Sequence, residues 1–250
     1  MKKIFLFLAL SFSLSLSASH TLGMYFEHYI DSANQEMTVE LHIVLDSAGI
    51  SFTQTSINLN GPLNVSLQRQ GPPSPYTPWG TPACVEGRYY EIVFANTFDY
   101  SSLLQNSSPS FNFSVSLPCC VAPLENYDGG NNNFIEFVLK PLISPFGGMK
   151  YLPNFDNRGL NPAMVQNAYP GFRNYLDFGF TAPARGADQV ISYLDEGREA
   201  PNQLAIYPSG YSGFFPLPDV TEDSLNGPII FDTIQRVISA RARAGSYTPG

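Results

Sequence analysis

Two carboxylates at a set separation are enough to hydrolyse a glycosidic bond. The chain holds two groups that could supply them: Asp195-Glu196 with Asp188 nearby, and Asp219, Glu222 and Asp223. Both groups fall in polar loops flanked by Pro and Gly, where acids serve turns and solvation, so no catalytic pair is expected. His20, His28 and His42 are the only histidines, and all lie near the N-terminus. No HExxH is present, and His28 and His42 fall within or beside candidate strands, which makes a solvated or hydrogen-bonded strand histidine the reading for each. Gly210-Tyr211-Ser212-Gly213 falls short of the Gly-x-Ser-x-Gly nucleophile elbow, which needs a strand-to-helix turn that this region lacks. No phosphate-cradling loop with Lys and Ser/Thr exists. The expectation is a protein that is not an enzyme, with no catalytic, cofactor-binding or metal residues and no cofactor.

Three other groups of residues carry chemistry of a different kind. Glu125-Asn126-Tyr127-Asp128-Gly129-Gly130-Asn131 offers oxygens to a cation, but Asp-Gly is also a hairpin turn signature, and the hairpin is the reading adopted. Cys84, Cys119 and Cys120 are the only cysteines. In an oxidising compartment they give one disulfide and one remaining thiol. Adjacent residues of a strand point to opposite faces, so only one of Cys119 and Cys120 can face Cys84. If the apolar face of Phe111, Phe113, Val115 and Leu117 runs on past Pro118, Cys119 points inward and is the expected partner, with Cys120 the alternative. A vicinal Cys119–Cys120 bridge would strain the peptide between them, and the spacing lacks the CxxC pair or nearby His of a metal site. Aromatic side chains bring large contact area with a polar handle. Tyr25, Phe26 and Tyr29, or Tyr76, Trp79 and Tyr89-Tyr90, could therefore present faces to sugars, although a chain with 19 Phe and 14 Tyr also needs them as core. Trp79 lies in the loop Pro75-Tyr76-Thr77-Pro78-Trp79-Gly80, which makes Trp79 and Tyr76 the ligand-contact candidates.

The elements that must position these groups are strands. Val39, Leu41, Ile43 and Leu45 alternate with Thr38, Glu40 and His42, and Phe111–Leu117 repeats the period of two more cleanly. Tyr89–Ala95 and Phe134–Leu139 are short β-branched and aromatic runs bounded by turn residues. Further on come Leu176, Phe178 and Phe180 at alternate positions, then Val190–Leu194, Leu204–Tyr207 and Ile229–Phe231. Ile234, Val237, Ile238 and Arg241 fit helical spacing and predict a short helix. Turn clusters at Gly71-Pro72-Pro73, Asp128-Gly129-Gly130 and Gly147-Gly148 separate the runs. Hydrophobic residues make up 44% of the 250, charged residues 14%, and Gly plus Pro 41, which suits β-sandwiches and excludes a disordered acidic tail. A transmembrane barrel needs uninterrupted strands of about 9–11 residues, and 21 prolines break nearly every candidate.

Lys2 and Lys3, the apolar run Ile4–Leu10 continuing through Phe12, Leu14 and Leu16, and the small residues Ser17, Ala18 and Ser19 read as a secretory signal peptide over residues 1–18. No later stretch approaches the ~18 apolar residues of a membrane span. The chain carries 13 Lys+Arg against 21 Asp+Glu, a net charge of −8, and loss of Lys2 and Lys3 takes it to −10. With no basic cluster to neutralise phosphates, a nucleic-acid partner is excluded.

Ser19-His20-Thr21-Leu22-Gly23 resembles the Ser-His-x-x-Gly opening of the large gliding-motility-associated surface proteins that Bacteroidota export by the type IX route. The resemblance continues through Cys84-Val85-Glu86-Gly87 before a Tyr-rich strand, the pair Cys119-Cys120, and Gly186-Ala187-Asp188-Gln189-Val190 with Tyr193-Leu194. Gly210-Tyr211-Ser212, Pro216-Leu217, Asn226-Gly227 and Gly245-Ser246-Tyr247 then follow in the family's order. Asp46-Ser47-Ala48-Gly49 lacks the Cys usual in that stretch, Val121-Ala122 replaces an Arg-Asn, and the second-domain Cys near Met164–Phe172 is missing. The family's Asp-rich strand opening is reduced to Asp188, against the about six to eight oxygens a Ca²⁺ ion takes. The resemblance implies two tandem immunoglobulin-like or cadherin-like β-sandwich domains, over residues 19–145 and 160–250 with a linker at 146–159, as the N-terminal part of a longer protein. It implies an all-β, non-catalytic module, exported to the cell surface or beyond, in a structural or adhesive role. Its expected partners are cell-envelope components or extracellular glycans; the alternative function is a secreted carbohydrate-binding or accessory protein.

Overall fold

The computed structural model describes residues 21–47, 52–76, 89–118, 132–144 and 147–158, followed by five strand segments between Arg173 and Arg241. The expected signal segment, the three cysteines, Trp79, the loop acids from Asp188 to Asp223 and the run Glu125–Asn131 lie outside the described residues.

The fold of the described residues is all-β and antiparallel. Strands β1 (Thr21–Asp31) and β2 (Glu36–Asp46) form a long hairpin, followed by β3 (Ser56–Leu59), β4 (Val65–Arg69), β5 (Ser74–Tyr76) and β6 (Tyr89–Asp99). A single helical turn, α1 (Ser101–Leu104), leads to the ribbon β7 (Phe111–Pro118) and β8 (Asn132–Leu139). Then come β9 (Leu142–Ile143), β10 (Lys150–Tyr151) and β11 (Phe155–Asp156). The main sheet has the order β11-β1-β2-β6-β4-β3, with β5 paired to the start of β6. No helix among the described residues is long and apolar enough to cross a membrane.

The β1–β2 turn is built from its own side chains. The Asp31 carboxylate accepts the backbone N–H groups of Ala33 and Asn34, at 3.0 and 3.2 Å, and the Asn34 amide at 2.8 Å. Such a local bond offers the backbone a turn in place of further ladder pairing. The loop closes through Gln35, a non-glycine residue at φ +55°, a conformation that crowds its Cβ.

Period-two alternation sends one face of the sheet inward. Phe26 and Ile30 of β1, five residues of β2 from Met37 to Leu45, and Ile92 and Phe94 of β6 are buried in one cluster. β3 and β4 add Ile57, Leu59, Val65 and Leu67. The β7–β8 ribbon closes over this face with Phe111, Phe113, Val115, Leu117 and Leu139. It is tied to the end of β3 by paired backbone bonds between Asn60 and Ser114, both 2.8 Å. Phe113 stacks on Phe137 with centroids 5.1 Å apart, and Phe137 meets Phe26 edge-on at 5.0 Å. Each fully buried side chain of this size contributes roughly 1.5–3 kcal/mol. Gly61 follows the Asn60 bridge because nothing larger fits: a Cβ there would sit 2.7 Å from Phe113 Cδ1.

Further on, β12 (Arg173–Asp177), β15 (Ile230–Asp232) and β16 (Val237–Arg241) form a three-stranded antiparallel sheet, and β13 (Arg198–Ala200) pairs with β14 (Gln203–Leu204). This corrects the helix expected from Ile234, Val237, Ile238 and Arg241. Residues 237–241 are a strand hydrogen-bonded on both sides, to β12 and β15. Four positions fit both periods, and the adjacent β-branched Val237 and Ile238 favour the extended form. Two short strands, β10 and β11, fall within residues 146–159, and β11 pairs with β1 at the edge of the main sheet.

Candidate functional site

The sheet has a second face, and the chemistry of the described residues is concentrated there. Antiparallel register sets Glu27 of β1 opposite Glu40 of β2, and Tyr25 opposite His42. On the other flank of β2, His42 faces Val93 of β6, with Glu91 two residues away on the same face. Residues Tyr25, Glu27, Glu40, His42 and Glu91 therefore share one side of three adjacent strands, which no spacing within a single strand reveals.

The His42 ring is fixed from three directions. Tyr25 stacks on it, with centroids 4.4 Å apart and planes inclined by 14°. Nδ1 lies 3.1 Å from Glu91 Oε1, and the Tyr25 hydroxyl donates to the same oxygen at 2.9 Å. Nε2 points between two further carboxylates, 3.7 Å from Glu40 Oε2 and 3.9 Å from Glu27 Oε2. Both separations exceed hydrogen-bond range, and Nε2 is buried with no hydrogen-bond partner among the described residues. Glu27 and His42 are 6% and 8% exposed, so these polar groups belong to the interior.

The electrostatics follow from this packing. Burial pushes the Tyr25 phenol up, and the adjacent Glu91 charge and hydrogen bond push it further, so it remains a neutral donor. Burial also pushes Glu91 up, but the hydrogen bond and charge of His42, with the Tyr25 bond, outweigh it and hold the carboxyl below its usual value. At the periphery, Arg158 grips Asp156 with two 2.9 Å bonds and lies over the Tyr29 ring, 4.4 Å from its centroid.

His28 is built differently. Its side chain lies on the core face, sandwiched between Phe155 at 4.7 Å and Phe137 at 5.2 Å, with Nδ1 buried and unbonded among the described residues. Burial pushes its pKa down to about 4 against an opposing pull from Asp156. His42 is thus buried and hydrogen-bonded, and His28 is half-buried and clamped by rings.

Of the ligand-contact candidates, Tyr76 is described: it lies on β5, half-buried, opposite Tyr89. Trp79 lies outside the described residues, as do Cys84, Cys119 and Cys120 of the expected disulfide. Sequence reasoning passed over Glu27, Glu40 and Glu91. The available signal was Glu40-x-His42, an i, i+2 pair of polar groups in a strand otherwise rich in apolar residues. No protein-family model, curated protein or solved structure matches the chain.

Proposed function

We propose that the chain is a non-catalytic module exported to the cell surface, built of tandem immunoglobulin-like or cadherin-like sandwiches, with a structural or adhesive role. The observation that carries this reading is the contrast, among the described residues, between the buried β core and a short hairpin that holds exposed apolar side chains together. The β9–β10 hairpin exposes Leu142 (48%), Ile143 (66%) and Met149 (75%), next to Tyr151. Exposed apolar groups gathered in one place are the usual mark of a contact surface.

Export is supported by the sequence of residues 1–18, a charged start, an apolar run and small residues before Ser19. The resemblance to gliding-motility-associated surface proteins supplies the surface role. Mass spectrometry of the native product tests the export half: an envelope or medium fraction whose N-terminal peptide begins at Ser19 is expected. A cytoplasmic product retaining Met1–Ala18 would refute it.

A further inference from the structure

We propose that Glu27, Glu40 and His42 form a divalent-cation site of the kind Zn²⁺ occupies, with Glu91 and Tyr25 orienting its histidine. The three donor atoms lie within 4.8 Å of one another on two adjacent strands. Ligands of a tetrahedral zinc ion, at about 2.0–2.2 Å from the metal, stand about 3.4 Å apart. The 3.7 and 3.9 Å gaps from Nε2 to the two carboxylates need only small side-chain rotations to reach that spacing.

Three features favour a cation over simple packing. The first is the orientation of the ring. Glu91 engages Nδ1, which turns Nε2 toward Glu27 and Glu40, and an ion taking the place of any proton on Nε2 would meet its lone pair there. A metal-binding histidine is oriented by a carboxylate on its other nitrogen in the same way. The second is Nε2 itself, buried and without a hydrogen-bond partner, on a residue only 8% exposed. A buried polar atom left unpaired costs about 1–3 kcal/mol, and coordination recovers it. The third is charge. Glu27, Glu40 and Glu91 surround a single imidazole, and a divalent ion would balance the excess. Among the described residues, Arg158 is a cation near Glu40, and its hydrogen bonds go to Asp156.

The donor set selects the ion. One imidazole nitrogen and two carboxylate oxygens suit zinc and its transition-metal neighbours, whereas Ca²⁺ and Mg²⁺ prefer all-oxygen shells. Three protein ligands leave a fourth position for water or for a donor from elsewhere.

The test is a Zn²⁺ titration of the purified full chain by calorimetry, repeated with Co²⁺ as an absorbing probe. One ion per chain is expected, with Co²⁺ d–d bands and no sulfur-to-metal charge transfer. Glu40→Gln and His42→Gln should abolish that binding, Glu91→Gln should weaken it about 10–100-fold, and His28→Gln should leave it unchanged. Glu40 is the most exposed of the three ligands, so Glu40→Gln, checked by its metal-free melting curve, decides the matter should His42→Gln fail to fold. No binding by the native chain, full affinity in Glu40→Gln, loss of affinity in His28→Gln, or cobalt–thiolate bands would each overturn the proposal. Those results would leave His42 as a packed histidine held by Tyr25 and Glu91.

Discussion

Acid should weaken this fold through His28 before it weakens it through the carboxylates. The imidazole is clamped between Phe137 and Phe155, and its pKa is pushed down to about 4 by burial, from an ordinary value of 6.5. The facing ionisable group is Asp156, which pulls the other way without winning. As pH falls from 6.5 toward 4, the unfolded chain takes up a proton that the folded chain refuses. Stability is therefore complete above pH 6.5, declines across that window, and levels off for this group below pH 4. A shift from 6.5 to about 4 corresponds to at most about 3.5 kcal/mol, at about 1.4 kcal/mol for each pH unit, and partial exposure of the ring lowers the realised loss. Urea unfolding followed by circular dichroism at pH 7.5, 6.5, 5.5 and 4.5 measures it, with His28→Phe as the reference. The variant adds a third ring to the clamp and removes the proton site. Because every other titrating group is common to both proteins, the difference between their stability curves isolates His28. Native stability should fall relative to His28→Phe by 1–3 kcal/mol, about the range the burial allows, between pH 6.5 and 4.5. Parallel curves would refute the account of the clamp.

Two backbone predictions follow from the same packing. Gly61→Ala should destabilise by roughly 1–3 kcal/mol, because the new methyl lands 2.7 Å from Phe113 Cδ1 and 3.0 Å from Asn112 O; thermal melting checks it, and an unchanged Tm would mean that β7 yields freely. Gln35→Gly should stabilise by about 0.5–1 kcal/mol, since glycine accepts φ +55° without a crowded Cβ, and a lower urea midpoint would contradict the turn geometry.

How much could be read from the sequence depends on how many faces a strand buries. β2, β6, β7 and β8 were legible because apolar residues alternate there or run together between turns. β1 was not, since Tyr25, Phe26 and Glu27 are buried in succession, two toward the outer face and one toward the core. Such a strand has no period to detect. β16 was misread because four residues are too few to separate a period of two from one of 3.6. The outer-face cluster was half visible: Glu40 and His42 share a face by spacing alone, whereas Glu27 and Glu91 join them only through registers that the sequence does not print. The ring clamp on His28 likewise depends on Phe137 and Phe155, more than 100 residues away in the chain.

The reading as an exported surface module is tested most directly by shaving intact cells with protease and identifying the released peptides. The account predicts that peptides from the β9–β10 hairpin around Leu142–Tyr151 are released while the cells remain intact. Release of hairpin peptides only after lysis, with the protein recovered whole from the cytoplasm, would contradict it.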